Sequence, residues 1–317
     1  MHLNKIRNLF FAAGLMLLLG LILFQKCFPK KPRSVTQRNH HSLLAYHDGG
    51  HDITLDDVFI TLKTSKQFHD TRMKVILNTW YQQAQAQTYI ITDDEDLDLN
   101  FTTNGHAVNS GCGNTHDLSD LSCKTGAEYD LYLRSGKKWW CLFDDDNYVN
   151  VPRLVELLGK LDWRKDVYLG RRSISKYLEG RFRGKTVYFV FATTGAGVCF
   201  SKPLANKMAP WSKSGKFLET SRALGHSDDC TIGFIITNLL KVNLTLTNVF
   251  HSHMEDLTKL DFNTLKNHVV FSYRGQNIIN ITSNLTNTNV FKRHVDPTRL
   301  YSLHCLIYPE NQFCKVA

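Results

Sequence analysis

Three consecutive aspartates, Asp144, Asp145 and Asp146, follow the apolar residues 139–143. Adjacent carboxylates repel one another, and a divalent cation offsets that repulsion. In an extended segment alternate side chains share a face, so we expect Asp144 and Asp146 on one side and Asp145 on the other. An acidic surface turn is the simpler interpretation, but such turns seldom follow two tryptophans, a leucine and a phenylalanine. The pattern predicts a metal site at the end of a buried strand.

A histidine pair, His251 and His253, follows an apolar–polar alternation over residues 242–250 that predicts a half-buried strand. Both imidazoles should then lie on one face of that strand. A single histidine at such a position is usually structural, whereas a pair in a chain with a carboxylate site is a candidate set of metal ligands. Imidazole together with carboxylate favours Mn²⁺ over Mg²⁺, because Mg²⁺ prefers oxygen ligands.

A second acidic pair, Asp228 and Asp229, precedes an apolar helical pattern at residues 232–239. Ser227 or Asp228 could cap this helix, and acidic residues in a first turn favour the helix dipole. That structural explanation needs no chemistry. The alternative is that the pair supplies a catalytic carboxylate beside the metal site.

The cysteines bear on this choice, because Cys230 directly follows Asp229 and Cys141 lies just before the three aspartates. A disulfide between Cys141 and Cys230 would fasten the Asp229 turn beside the predicted metal strand. Six paired cysteines allow many connectivities, so this pairing is a hypothesis. The other cysteines are expected to form two short loops and one buried free thiol: Cys112–Cys123, Cys305–Cys314 and Cys199.

Four Asn-x-Ser/Thr sequences are candidate glycosylation sites: Asn100, Asn243, Asn280 and Asn284. Such sequences arise by chance, but together with the cysteines they place residues 53–317 in an oxidising lumen. A cytosolic protein with scattered thiols is the alternative.

The N-terminal residues predict a membrane anchor. Residues 9–24 carry no charge and follow Lys5 and Arg7, and no small-residue cleavage site comes after them. A removed signal peptide is the alternative. We expect a cytoplasmic tail at residues 1–8, a transmembrane signal-anchor at 9–28, a lumenal stem at 29–53 and a lumenal catalytic domain at 54–317.

The net charge of +9 is divided between residues 1–53 and the rest of the chain. Residues 1–53 hold seven Lys or Arg against two Asp, a net charge of +5. Residues 54–317 therefore carry +4. This region has no stripe of Lys and Arg interleaved with aromatic residues, which argues against a nucleic-acid partner. A modest positive excess suits an anionic small substrate.

Apolar runs that predict strands alternate with helical patterns over the first half of the catalytic region. Strands are expected at residues 58–62, 88–92, 139–143 and 167–169, and helices at 68–80, 127–133 and 152–161. This alternation predicts an α/β domain with a mostly parallel central sheet flanked by helices. Ligands bind beyond the carboxyl ends of such strands, so residues 63–65, 93–94 and 144–146 should line one crevice.

Seven stretches closely resemble the Fringe glycosyltransferases: DVFITLKTS, CLFDDDNYVN, VYLGRRS, FATTGAGVCFSKPLANKMAPW, SDDCTIGF, FHSHME and LHCLIYPE. The resemblance runs from about residue 57 to residue 314. Fringe enzymes reside in the Golgi and add β-1,3-linked N-acetylglucosamine to O-linked fucose on EGF-like repeats of Notch, which modulates Notch signalling. The resemblance implies a single GT-A-like nucleotide-sugar transferase domain on a single-pass type II Golgi membrane protein. Cleavage of the stem would yield a secreted form.

The resemblance also implies a role for each candidate residue. Asp146 and His253 would be the Mn²⁺ ligands, and Asp145 would contact the sugar nucleotide UDP-GlcNAc. Arg72 would contact the donor, where a guanidinium fork suits a diphosphate. Asp229 looks like the catalytic base, and the same three disulfides are implied.

Thr194 departs from the family pattern, which has glycine at this position. Gly195 and Gly197 remain, so the close-packed loop should be kept, while the fit of the donor or acceptor there stays open.

The reaction that the resemblance implies is a single displacement that inverts the anomeric centre. Asp229 would accept the proton of the fucose 3-hydroxyl, with Mn²⁺ as the Lewis acid on the departing UDP. Two alternatives remain: another β-1,3-glycosyltransferase that uses UDP-galactose, and a catalytically inactive secretory-pathway binding protein of the same fold.

Overall fold

The computed structural model of the protein describes residues 53–281 and 290–315. The strands are β1 (Val58–Lys63), β2 (Thr88–Thr92), β3 (Ala107–Asn109), β4 (Trp139–Asp144), β5 (Tyr148–Val149), β6 (Tyr168–Gly170), β7 (Leu178–Phe182), β8 (Lys185–Phe189), β9 (Val198–Ser201), β10 (Leu244–Leu246), β11 (Phe250–His251) and β12 (Val270–Phe271). The α-helices are α1 (Lys74–Leu77), α2 (Leu97–Thr102), α3 (Leu118–Ser135), α4 (Val151–Gly159), α5 (Lys202–Ser212), α6 (Lys216–Leu224), α7 (Asp228–Gly233) and α8 (Leu300–Ile307).

A seven-stranded central sheet has the strand order β10-β6-β9-β4-β1-β2-β3. Strand β9 runs antiparallel to its two neighbours, β4 and β6, and the other neighbouring pairs are parallel. Strands β11, β12 and β5 form a small sheet, and β7 and β8 form a separate hairpin. The predicted α/β domain with a mostly parallel central sheet is confirmed.

The central strands are buried on both faces because their apolar side chains alternate between two cores. In β1, Val58, Ile60 and Leu62 belong to one core and Phe59 to the other. Helices α1, α4 and α8 cover the first core, and α3, α5, α6 and α7 cover the second. Burial on both faces explains why these strands read as continuous apolar runs in the sequence.

The prediction of one regular helix over residues 68–80 is wrong. This segment contains a π-helical turn at His69–Met73, the short helix α1, and a separate 3₁₀ turn at Trp80–Gln83. The break lies at Thr79, whose hydroxyl donates to the carbonyl oxygen of Val75 at 2.7 Å. A side chain that bonds the preceding turn competes with the regular backbone pattern.

The single strand predicted over residues 242–250 is also wrong. Strand β10 pairs with β6 at the edge of the central sheet, whereas β11 pairs with β12 in the small sheet. The chain therefore leaves one sheet and enters another within this segment, which an alternating pattern of apolar residues does not reveal.

The disulfide prediction is confirmed in two pairs and wrong in the third. Cys112–Cys123 and Cys305–Cys314 are bonded as expected. Cys141 is bonded to Cys199 rather than to Cys230, which is a buried free thiol. The reason is the sheet register, because Cys141 of β4 lies directly opposite Cys199 of the antiparallel strand β9, with 4.1 Å between their Cα atoms.

The predicted tail, membrane anchor and most of the stem lie outside the described residues, as does Asn284. Across residues 53–281 and 290–315, no helix has the length and apolar character needed to cross a membrane. Asn100, Asn243 and Asn280 are exposed, as a glycan would require, and their occupancy stays a prediction.

Candidate active site

The carboxyl ends of β1, β2 and β4 bring the predicted crevice residues together. Thr64, just after β1, donates a hydrogen bond from its hydroxyl to Asp145 Oδ2 at 2.8 Å. Lys124 of α3 is buried, and its ammonium donates to the Thr64 carbonyl oxygen at 3.0 Å, to Ser65 Oγ at 2.8 Å and to Asp93 Oδ2 at 2.6 Å. The three strand ends are thereby fixed to one another around a shared crevice.

Asp146 and His253 form a carboxylate–imidazole pair at this crevice. The distance from Asp146 Oδ2 to His253 Nδ1 is 3.5 Å, and both side chains are partly exposed. Asn147 holds the other carboxylate oxygen, Asp146 Oδ1, by donating a hydrogen bond of 3.1 Å. Ser272 Oγ lies 3.2 Å from His253 Nδ1. The sequence placed both residues at the site, but it gave no sign of Asn147 or Ser272.

The pair offers one carboxylate oxygen and one imidazole nitrogen as ligands that could hold a divalent cation. Within the described residues, no three His, Cys, Asp or Glu side chains are grouped as a metal cage. Asp146 and His253 can supply one oxygen and one nitrogen ligand, which suits Mn²⁺ better than Mg²⁺. A two-ligand site of this kind leaves coordination positions for phosphate oxygens and water.

His251 does not join His253 as a second ligand. Its Nδ1 lies 3.1 Å from Glu255 Oε1, its Nε2 lies 2.6 Å from His268 Nδ1, and its ring is buried. Both ring nitrogens are thus engaged with other side chains, so the expectation of two imidazoles at the metal site is wrong. The reason is that β11 ends at His251, and the alternation of an extended strand does not continue to His253.

Asp144 lies beside Lys63, and the expectation that it shares a face with Asp146 stays a prediction. Strand β4 ends at Asp144, and the chain turns there with a hydrogen bond of 3.0 Å from the Asn147 amide to the Asp144 carbonyl oxygen. The Asp144 carboxylate lies 4.0 Å from the Lys63 ammonium. Burial raises the pKa of Asp144 to about 7, with Lys63 opposing the shift and the neighbouring aspartates adding to it.

Arg72 contacts the middle aspartate. Its Nη1 donates to Asp145 Oδ1 at 2.7 Å, and its guanidinium stacks on the Phe68 ring at 3.9 Å from the ring centroid. Burial raises the pKa of Asp145, and the Arg72 charge works against this rise. Tyr273 is close to the same charges, and burial raises its pKa to about 12. Arg72 and Asp145 therefore lie together beside Tyr273, and their contact with a donor stays a prediction.

Asp228 and Asp229 occupy the first turn of α7 in different surroundings. Asp228 is buried, forms an ion pair with Lys63, and accepts a hydrogen bond of 3.0 Å from Thr125. Asp229 is partly exposed, and its Oδ1 accepts from Ser227 Oγ at 2.9 Å and from the Cys230 amide at 2.7 Å. The Ser227 hydroxyl makes no capping hydrogen bond, although both aspartates lie in the first turn, where the helix dipole favours negative charge.

The pKa values of these two aspartates move in opposite directions. Burial raises the pKa of Asp229, and the negative charge of Asp228 raises it further. Burial acts on Asp228 in the same sense, but the Lys63 ammonium outweighs it and leaves the pKa of Asp228 below its usual value. A carboxylate with a raised pKa at a partly exposed position suits a general base.

Lys63 joins the two acidic segments; the sequence analysis placed it in the crevice but assigned it no role. Its buried ammonium pairs with Asp228 of α7 and lies 4.0 Å from both Asp144 and Glu128. Burial alone would lower its pKa, but the three carboxylates raise it above the usual value. Burial raises the pKa of Glu128 to about 8. A buried lysine at the end of an apolar strand cannot be distinguished by pattern from an exposed one.

The loop that contains Thr194 shows where glycine is required. A Cβ on Gly197 would lie 2.4 Å from the Phe143 ring, and its φ of +76° is in the left-handed region. A Cβ on Gly195 would lie 3.3 Å from His253 Cε1. Thr194 is buried in the 3₁₀ turn beside them. The two glycines that remain are thus those that let the loop pack against β4 and His253.

Comparison with known proteins gives one consistent family. The Fringe-like family model matches residues 53–311. The "Beta-1,3-N-acetylglucosaminyltransferase lunatic fringe" of Danio rerio is 42% identical over 272 residues, which cover 83% of this chain and 71% of that protein. The "Fringe glycosyltransferase" of Drosophila melanogaster is 44% identical over 266 residues, which cover 82% of this chain and 64% of that protein. Lunatic fringe of Homo sapiens is 39% identical over 267 residues, 81% of this chain and 69% of that protein.

Proposed function

The chain belongs to the Fringe-like family, and from this premise we propose that it is an inverting glycosyltransferase with a GT-A-like fold. It transfers N-acetylglucosamine from UDP-GlcNAc in β-1,3 linkage to O-linked fucose on EGF-like repeats, and through Notch receptors it modulates Notch signalling. The names of its relatives support the reaction class and the sugar. We further propose a type II Golgi membrane protein with its catalytic domain in the lumen.

One observation supports this function above the others. The Lys63 ammonium pairs with Asp228, next to the proposed base Asp229, and also lies 4.0 Å from Asp144 of the aspartate triplet. A single buried cation therefore ties the strand that ends in the aspartate triplet to the helix turn that carries the proposed base. An acidic surface turn and an unrelated helix cap would not share such a partner.

At the donor, Asp146 and His253 would hold Mn²⁺, which when bound supplies Lewis-acid stabilisation of the UDP leaving group. Arg72 is placed to bind an anionic donor group, since its guanidinium is partly exposed beside Asp145. Asn147 keeps one oxygen of Asp146 fixed, so that the other oxygen remains directed at His253.

At the acceptor, Asp229 accepts the proton of the fucose 3-hydroxyl while that oxygen attacks the anomeric carbon from the face opposite UDP. The hydrogen bonds from Ser227 and the Cys230 amide engage Oδ1 of Asp229 and orient the carboxylate. Attack from the opposite face turns an α-linked donor into a β-linked product.

The test is transfer by the purified full-length chain from labelled UDP-GlcNAc and UDP-galactose to an O-fucosylated EGF-like repeat, with Mn²⁺ and after its removal by a chelator. We expect transfer of N-acetylglucosamine that depends on Mn²⁺. Preferential transfer of galactose would instead identify a galactosyltransferase. Binding of UDP without transfer of either sugar would identify an inactive binding protein of the same fold.

A further inference from the structure

The positive charge of the catalytic region is concentrated on one β-hairpin. Residues 172–188, here called the basic hairpin, contain five basic residues against the single acid Glu179, a net charge of +4. Residues 54–317 also carry +4 in total, so the rest of this region is neutral.

The basic hairpin has one packed face and one solvent face. Strands β7 and β8 pair antiparallel, and Arg183 and Gly184 form the two-residue turn with φ values of +50° and +79°. On the packed face, Phe182 lies against Phe234, with 4.8 Å between the ring centroids. The register places Arg181 and Tyr188 on the opposite face, which is exposed to solvent.

Exposed cations and aromatic rings lie around the hairpin: Arg181 and Tyr188 share the solvent face with Glu179, and Lys185 is in register with Phe182 beside the turn. Among the ion pairs of the described residues, none involves Lys176, Arg181 or Lys185, although all three are exposed. Tyr177, just before β7, is 66% exposed, and Tyr188 of β8 is 55% exposed. Arginine and tyrosine exposed together are characteristic of surfaces that bind proteins.

The basic hairpin adjoins the residue that we propose as the base. A Cβ on Gly180 of β7 would lie 3.4 Å from Nε2 of His226, which is three residues before Asp229. The chain enters the hairpin from β6 and leaves it toward Thr194–Ala196, the turn that packs against His253. The hairpin thus packs, through Gly180, against the segment that leads to Asp229.

We propose that the basic hairpin is the docking surface for the polypeptide that carries the acceptor sugar, and that this polypeptide presents an acidic face around its glycosylated residue. The proposal rests on the proposed function. An acceptor domain whose sugar reaches Asp229 extends beyond the site, and a cationic surface with two exposed tyrosines complements an acidic protein face. Electrostatic attraction of this kind accelerates encounter and weakens as salt is added.

The experiment reverses the charge of three exposed side chains in the full-length chain: Lys176→Glu, Arg181→Glu and Lys185→Glu. Arg183 is left unchanged because its left-handed turn position strains most substitutions. The control reverses three exposed lysines on other elements: Lys165→Glu, Lys213→Glu and Lys266→Glu. Both variants change the net charge equally. Each is assayed with an acidic O-fucosylated EGF-like repeat and with p-nitrophenyl fucoside, which has no polypeptide.

With the repeat, we expect kcat/KM of the hairpin variant to fall by about tenfold or more, while the control variant stays near the wild-type value. With the fucoside, both variants should match the wild-type protein. The salt dependence of the wild-type rate on the repeat should largely disappear in the hairpin variant. A repeat whose exposed Asp and Glu are replaced by Asn and Gln should not distinguish the two variants.

Two results would overturn the proposal: an unchanged kcat/KM of the hairpin variant on the acidic repeat, or an equal loss on the repeat and on the fucoside. Loss of binding to phosphatidylserine-containing vesicles with unchanged kinetics on the repeat would assign the surface to a membrane instead. If wild-type protein transfers no sugar to either acceptor, the proposed function fails. Calorimetric binding of the repeat to both variants then still tests the docking surface.

Discussion

Asp228 and Asp229 are neighbours in the chain, but only Asp229 combines partial exposure with a raised pKa. Asp228 is held ionised by the buried Lys63 ammonium. Its charge acts on Asp229 from a fixed position, since the ion pair ties the first turn of α7 to the end of β1. Paired groups whose surroundings separate their pKa values often divide a catalytic task, with one charged and one exchanging protons.

Replacing the proposed base should abolish chemistry and keep binding. Asp229→Asn preserves the shape of the side chain but cannot accept the proton of the acceptor hydroxyl. We expect transfer to fall by roughly 10²-fold or more, while Mn²⁺ and UDP still bind in a calorimetric titration. A largely active Asp229→Asn enzyme would contradict the role of Asp229 as base.

Replacing a proposed metal ligand should have a different signature. In Asp146→Ala, binding of Mn²⁺ and of UDP should weaken together, by about 10-fold or more, because the cation joins the protein to the diphosphate. His253→Ala should show the same loss in milder form, since water can replace an imidazole. Asp98→Ala, at an exposed site, serves as the control. Unchanged Mn²⁺ binding in Asp146→Ala would contradict the assignment of Asp146 as a metal ligand.

The buried Glu128 should make the stability of the protein depend on pH. Its pKa is raised from 4.5 to about 8, chiefly by burial. Between these two values the folded protein keeps a proton that the unfolded chain has released, so this group lowers stability as the pH rises.

The glutamine amide in Glu128→Gln does not titrate, so it makes no such pH-dependent contribution to stability. In urea unfolding, the free energy of unfolding of the variant relative to that of the wild-type protein should therefore rise between pH 5 and pH 8, by up to about a few kcal/mol. The exposed Glu219→Gln is the control. A constant difference between Glu128→Gln and the wild-type protein across this range would contradict the raised pKa.

At the scale of the elements, the cysteines show what a sequence pattern omits. The spacing of Cys141 and Cys230 around the two acidic segments suggested a bond, but the antiparallel insertion of β9 placed Cys199 opposite Cys141. Which strand lies beside which is decided by long-range packing, and no local periodicity encodes it. Cys230 instead holds Asp229 through its backbone amide, which any residue there except proline would provide, while its thiol adds a second contact to the same carboxylate.

Because Cys230 forms no disulfide, we expect its replacement to have a smaller effect than removal of the Cys141–Cys199 bond. Cys230→Ala keeps the amide and should retain most of the transfer activity, with a modest loss of stability from the buried thiol. Removing the β4–β9 bond with Cys141→Ala and Cys199→Ala should cost about 2–5 kcal/mol of unfolding free energy. Urea unfolding and the transfer assay measure both effects. A greater loss of stability in Cys230→Ala than in the double variant would contradict the observed pairing.

At the scale of the whole molecule, the features that could be predicted are those determined by residues close together in the sequence. The apolar strands and the acidic residues at their ends define the α/β sheet and one edge of the crevice, and Asp145 and Asp146 were found this way. The features that could not be predicted depend on residues distant in sequence. Lys63 becomes significant only when α3 and α7 bring Glu128 and Asp228 next to it.

The bond between Cys141 and Cys199 closes a covalent ring of the intervening chain, which spans a sequence separation of 58 residues and contains the basic hairpin. The exposed lysines and arginines of that hairpin are natural targets for trypsin-like proteases. A single cut there opens the ring without dividing the molecule, because the disulfide still joins the two fragments across the central sheet. The hairpin could thus be severed while β4, β9 and the acidic residues at the end of β4 stay tethered in one covalent unit.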